Sequence, residues 1–297
     1  MKNRNSRLKK KSFKFPTFAV VSFFVLAFYS LSLILPFGWA LLTSLKSNFD
    51  YLIDPLGFPK NIVDNYTVMF DYFFVPVRKG IEIKQVGIFP MVLNSLWYAV
   101  GCAFVSMIVS FLAGYIVSRF NFRFLKIVYS VIIISMIIPT VGTLPSEIRI
   151  ASLLGLYDTP YGMLFMKAYV TGIYFLVFYA ACKVIPKDYS EAAYIDGASN
   201  FSVMIRIIMP MVSGTLSAVF LLNFISFWND YQTPLIYMPS YPTFAYGLYY
   251  YINGSYELST STVPMRLAGC MLMAIPLFIL FIIFQKRIMV NVSGGLK

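Results

Sequence analysis

The 297-residue chain has no histidine, three cysteines and twelve acidic residues. Without histidine it lacks the commonest general acid/base and a principal zinc ligand. Cys102, Cys182 and Cys270 lie in or beside apolar runs, and an odd count without paired spacing argues against a disulfide framework. No Gly-x-x-x-x-Gly-Lys-[Ser/Thr] stretch occurs, so the chain itself cannot cradle ATP phosphates in the usual way. Charge is scarce too, at 12% of residues against about 25% in a soluble domain, while 59% are apolar and 18% aromatic. A soluble chain could not hide that much apolar surface, and the composition is that of an all-α, polytopic membrane protein.

The net charge of +12 does not point to nucleic acid, because the basic residues are distributed by topology rather than along a recognition surface. Seven of the twenty-four fall within the first fourteen residues, and residues 1–16 read as a basic cytoplasmic tail. Residues 17–42 are uncharged, long enough at about 1.5 Å per residue to cross a bilayer and too long for the apolar part of a signal peptide. Residues 43–89 are polar, mixed in charge and interrupted by Pro55, Pro59 and Pro76, which predicts an extracytoplasmic segment. Its stretch from Phe73 to Ile88 alternates apolar and polar residues, as a short hairpin or edge strand would.

Five further apolar runs occupy 90–286, at Pro90 to Val117, Leu125 to Leu144, Gly162 to Val184, Met211 to Trp228 and Leu267 to Phe284. Six transmembrane helices result, with both termini cytoplasmic and 287–297 a C-terminal cytoplasmic tail. The excess of Lys and Arg on the segments so placed inside agrees with this orientation.

Between the fourth and fifth spans, residues 186–210 form a polar island holding three of the twelve acids. Asp188 and Glu191 have capping-box spacing, so Asp188 is expected to cap a short helix and Glu191 to reach back to it. Ala192 and Ala193 give that helix a small-residue face, and Gly197 can turn the chain at positive φ. Ser199 or Asn200 then caps a second helix, with Phe201, Val203, Met204, Ile207 and Ile208 as its apolar side. Spacing alone also leaves open an amphipathic loop lying on lipid headgroups.

Glu191-Ala192-Ala193, three residues, Gly197, and an end at Ile208-Met209-Pro210 resemble the EAA loop of ABC importer permeases, with Met209 where the family usually has leucine. Ala113-Gly114-Tyr115 with Ser118-Arg119-Phe120-Asn121-Phe122-Arg123 is similar to a signature of the carbohydrate branch, although Gly114 is inserted between its alanine and tyrosine. Asn94-Ser95-Leu96, Ile138-Pro139, Leu154-Gly155-Leu156-Tyr157-Asp158 and Trp228-Asn229-Asp230-Tyr231 follow in the order of that branch. Phe73 to Ile88 is longer than the family pattern.

The resemblance implies a type I (MetI-like) permease fold in a bacterial cell membrane. It also implies a complex with a second, different permease chain, an ABC ATPase dimer that uses ATP and Mg, and an extracytoplasmic solute-binding protein. This chain would bind no cofactor or metal. Glu191, Ala192, Ala193, Asp196 and Gly197 are the expected ATPase-coupling residues, Glu191 doubling as a cap and as a partner for basic groups. Asn94, Tyr98, Tyr174, Tyr179, Asn223, Trp228, Asn229 and Asp230 are candidates for a sugar pathway, since polar and aromatic groups in spans face a cavity or another helix. Each could equally make an interhelical hydrogen bond or belong to an aromatic belt, and the tyrosines between Tyr246 and Tyr256 read as interface anchors first.

Other readings are a permease for a non-sugar solute, a channel or secondary carrier, and a membrane enzyme. A carrier would want charges in the spans, where Lys167 is nearly alone. An enzyme would have to use Glu147, Arg149 and Asp158.

Overall fold

Apolar side chains all around a helix let it sit in lipid, and among the described residues three single helices have that character. In the computed structural model, which describes residues 17–139, 142–170, 172–254 and 262–294, α1 (Thr17–Ser44), a central helix of 32 residues and a last helix of 32 residues are long and apolar enough to cross a membrane. The predicted basic tail 1–16 and Tyr256 lie outside the described residues.

After α1 come α2 (Asn48–Ile53) and α3 (Asn65–Tyr72), capped by Ser47 and Asp64 side chains. Lys46, read in the sequence as an external loop charge, is only 1% exposed. Its Nζ donates to the Asp54 carbonyl at 2.9 Å, and the Asn65 amide donates to the carbonyls of Ser44 and Lys46, so the end of α1 is tied to both short helices. The predicted hairpin is present as β1 (Phe74–Lys79) and β2 (Glu82–Gly87), paired from Phe74↔Gly87 to Lys79↔Glu82 around Gly80 at φ +66°. Val75 and Val77 on one face of β1 join Met69, Phe73, Phe244 and Tyr251 in an apolar cluster. Burying each such side chain contributes about 1.5–3 kcal/mol.

α4 (Ile88–Arg119) is the axis of the molecule. It is followed by α5 (Arg123–Ile137), α6 (Leu144–Leu153), α7 (Pro160–Met166), α8 (Ile173–Val184), α9 (Asp188–Ile195) and α10 (Asn200–Val203). A π-helical turn, Met204–Ile208, then leads into α11 (Met209–Met211), α12 (Ser213–Trp228), α13 (Gln232–Tyr237), α14 (Phe244–Asn253) and α15 (Val263–Gly294). α4 packs most extensively on α8 and α12, and α15 closes against α12 and α1. A Cβ on Gly114 would come within 2.7 Å of the Tyr179 backbone nitrogen, so the glycine inserted in the sequence signature lets α4 and α8 approach closely.

The six unbroken spans of the sequence reading are not all continuous helices. α5 stops at Ile137, because Pro139 pushes Ile138 out of the helical region (φ −72°, ψ 119°). Its 15 residues reach only about 22 Å. The fourth run divides into α7 and the 12-residue α8 at Gly172 (φ +142°). The fifth run is the continuous but 16-residue α12, bent by 76° from the helical segment Asn200–Met211 that precedes it. The last run extends at both ends into α15, so helical backbone continues through most of the expected tail.

Candidate functional site

The EAA-like island folds as helix, glycine turn and helix. α9 ends in a Schellman motif, in which Gly197 N–H bonds to the Tyr194 carbonyl (3.0 Å) and Ala198 N–H to the Ala193 carbonyl (2.9 Å). Gly197 has φ +83°, as the turn requires. Of the two expected caps for the following helix, Ser199 serves, its Oγ accepting from Ser202 N–H at 3.3 Å. The capping box does not form. Lys187 occupies the cap position in helical conformation and makes no side-chain cap hydrogen bond, and Asp188 lies inside the first turn. Asp188 and Glu191 thus favour α9 through the positive end of its dipole rather than as caps.

One face of the loop is anchored and the other is open. Val203, Met204 and Ile208 are buried with Cys182, Phe111 and Phe178, and Ala193 and Ala198 pack against the same cluster. Phe201, expected on this apolar side, is instead 67% exposed, as is Ile195 at 87%. Glu191, Ala192, Asp196 and Gly197 are exposed as well. The π turn follows from Pro210, which has no N–H for the Arg206 carbonyl. The Met209 N–H bonds one residue further back, to Met204, and the apolar face continues past the proline.

At the hairpin end, several pathway candidates satisfy one another. Tyr98, fully buried, donates its hydroxyl to Asp230 Oδ2 at 2.9 Å, while Asp230 Oδ1 accepts from Thr233 N–H at 3.0 Å. Trp228 stacks on Phe224 and donates Nε1–H to the Met273 carbonyl at 2.9 Å, within the turn of α15 that Pro276 loosens. Asn94 donates to the Pro242 carbonyl and lines a cleft of about 200 Å³ with Lys84, Gln85 and Ser240. Asn229 is exposed and bonds back to the Ile225 carbonyl within its own helix. Asn223 is 5% exposed, and its Nδ2 has no partner among the described residues.

Tyr174 and Tyr179 are not brought to this group. Tyr174 packs on the cluster beneath the loop, and Tyr179 lines a second cleft near the α4–α5 turn, where its hydroxyl accepts from Lys183 Nζ. Tyr246 and Tyr251, expected first as interface anchors, are buried in the cluster under the hairpin.

The acids offered for an enzyme are engaged in structure. Tyr237 donates to Glu147 Oε2 at 2.6 Å, and Asp158, at φ +56°, accepts from Ser240 N–H at 2.9 Å. Hydrogen bonds from Thr143 and Tyr237 hold the Glu147 carboxyl below its ordinary value. Burial and then the Glu147 bond push the Tyr237 phenol up to about 12. Arg149 is exposed. Lys167 lies 5.2 Å from the Phe227 ring centroid, a cation–π contact that accommodates its charge. Sequence reasoning gave no role to Arg119, whose Nε and Nη2 are buried without hydrogen-bond partners among the described residues. Its signals were a place in the basic turn that ends α4 and in the carbohydrate-branch signature.

Residues 106–294 match the family of binding-protein-dependent transport system inner membrane components. The chain belongs to that family. The permease is therefore an inner-membrane transport component and not an enzyme.

Its relatives include permeases of sugar uptake systems. It is 24% identical over 284 residues to the diacetylchitobiose uptake system permease protein NgcG of Streptomyces coelicolor, covering 94% of this chain and 88% of the relative. With the lactose transport system permease protein LacG of Rhizobium radiobacter it shares 25% over 282 residues, covering 94% and 96%. A bacterial ABC transporter involved in import of the acidic polysaccharide alginate contains a chain of the same fold, with TM-score 0.73, 20% identity, and coverage of 91% of this chain and 95% of that one.

Proposed function

We propose that the permease forms half of the translocation pathway of an ATP-driven importer for sugars, with oligosaccharides the expected class, in a six-span arrangement with both termini cytoplasmic. A second permease chain completes the pathway, a binding protein delivers solute outside, and an ATPase dimer using ATP and Mg drives alternating access from inside. The sugar class rests on what the relatives transport. The single observation that carries the coupling role is the loop itself: a rigid helix, Schellman turn and second helix, anchored on one face by Ala193, Ala198 and Ile208 while Glu191, Ile195 and Phe201 are exposed on the other. An exposed apolar face flanked by acids suits a cleft on a partner rather than water. Because α10 continues through the π turn into α11, which meets α12 at a 76° bend, a push on α9 is carried to the helix that holds Asn223 and Trp228.

The test is affinity purification of the tagged chain from its own cell in mild detergent, beside Glu191→Arg. An ABC ATPase that accompanies wild type and is lost from the mutant is the expected result. Wild type that brings down no ATPase under conditions preserving other membrane complexes sinks the reading.

A further inference from the structure

Where α9 meets the end of α4 there is a cleft of about 170 Å³, with Arg119 and Tyr115 on one wall and Lys187, Ser190, Glu191 and Tyr194 on the other. Arg119 closes the last turn of α4, where a cation is favoured by the helix dipole. Its Nε and Nη2 are out of solvent and have no hydrogen-bond partner among the described residues. These two nitrogens form the side-on edge of the guanidinium, which grips a carboxylate through two parallel bonds. A buried charge left without a partner is costly, so this edge is built for an acceptor that some other arrangement of the molecule supplies. Glu191 brings the one carboxylate that lines the cleft, and it is exposed, free to change rotamer. Lys187 is the competing cation, but it is exposed and hydrated, and a lysine four residues before a glutamate is the weaker helical pairing.

We propose that Arg119 is a positioning residue for the coupling loop. In one state of the transport cycle its Nε/Nη2 edge takes the Glu191 carboxylate and clamps α9 to the end of α4. In another state the carboxylate is released to face the ATPase. The inference rests on the coupling role proposed for the loop and adds an internal partner to it. Docking of the ATPase and movement of α4 then compete for one side chain, which ties closure of the ATPase pair to the axis of the bundle.

The experiment is a double-mutant cycle in the assembled importer in lipid nanodiscs. Stimulation of ATP hydrolysis is read with the binding protein as purified from its own cell, carrying its own ligand. Arg119→Met keeps the stem and removes the charge, Glu191→Gln removes the other charge, and Arg119→Lys returns a cation without the fork. Each neutral substitution is expected to lower stimulation about tenfold, the double mutant to fall no further, and Arg119→Lys to recover part of the loss. A double mutant showing the product of the two losses, Arg119→Met stimulated like wild type, or Arg119→Lys no better than Arg119→Met would each overturn the clamp. Should Arg119→Met not assemble, Arg119→Gln takes its place in the cycle with the same criteria. Full stimulation in Glu191→Gln would instead overturn the coupling role of the loop, and the clamp with it.

Discussion

Gly197 holds φ +83° with open space around the position a Cβ would take, so any penalty for a side chain there is one of backbone conformation alone. A β-branched residue in the left-handed region costs about 1–2 kcal/mol, whereas asparagine visits that region readily. Gly197→Val is therefore expected to insert and assemble but to lose stimulation of ATP hydrolysis by the loaded binding protein, while Gly197→Asn keeps most of it. Equal stimulation in both variants would mean that the turn geometry is irrelevant to coupling. Asn223 poses a different problem, a 5% exposed amide whose Nδ2 has no partner among the described residues. Replacing an unsatisfied buried group by an apolar one of similar size is close to neutral or stabilising. Asn223→Leu should match or raise the thermal midpoint of the complex while lowering solute uptake into whole cells. Unchanged uptake would remove Asn223 from the pathway, and a large drop in midpoint would show that the amide has a partner.

Among elements, the link between α6 and α13 is the one with a titratable signature. The Glu147 carboxyl is held below its ordinary value, so its contribution is complete above the ordinary carboxylate range and lost as pH falls through the lower folded pKa. The Tyr237 phenol is raised from 10.0 to about 12, so its contribution is complete below 10 and lost as pH rises toward 12. The link is strongest between those limits. Tyr237→Phe should cost about 1 kcal/mol at neutral pH, since Glu147 is exposed and solvent screens the pair, and should flatten the acid limb of the stability profile. Thermal midpoints of wild type and mutant that run parallel from pH 3 to 8 would contradict the assignment.

Elements with strong local chemistry were legible in the sequence. The hairpin announced itself by alternation from Phe73 to Ile88, and the loop by Gly197 and Ser199. The capping box failed because Asp188-x-x-Glu191 reads the same whether the aspartate precedes the helix or opens it, and Lys187 took the cap position instead. Runs of apolar residues located the apolar segments but not their continuity: among the described residues three helices, or four with a bent pair taken as one span, are long and apolar enough to cross a membrane. Hydropathy does not register the break Pro139 imposes on α5 or the turn at Gly172. Lys46 counts in the sequence only as part of the extracytoplasmic segment, because its acceptors, the carbonyls of Asp54 and Pro55, leave no trace in side-chain composition. Tyr98 and Asp230, singled out for a sugar, spend their polar atoms on each other and on Thr233 in this conformation.

At the scale of the whole molecule, α4 packs against α8 and α12, and the loop between those two helices carries the exposed Glu191, Ile195 and Phe201. A force applied at the loop therefore reaches the bundle through both flanks of its axis. Ile195 is the most direct reporter, being 87% exposed and beyond the contacts that fix α9. A photo-crosslinking amino acid placed at residue 195 and activated in intact cells is predicted to give one major adduct, with the ABC ATPase, and to lose it in Glu191→Arg. Adducts with lipid alone, in cells where the importer is assembled and active, would contradict the seating of this loop in the ATPase and return it to an amphipathic segment on the membrane surface.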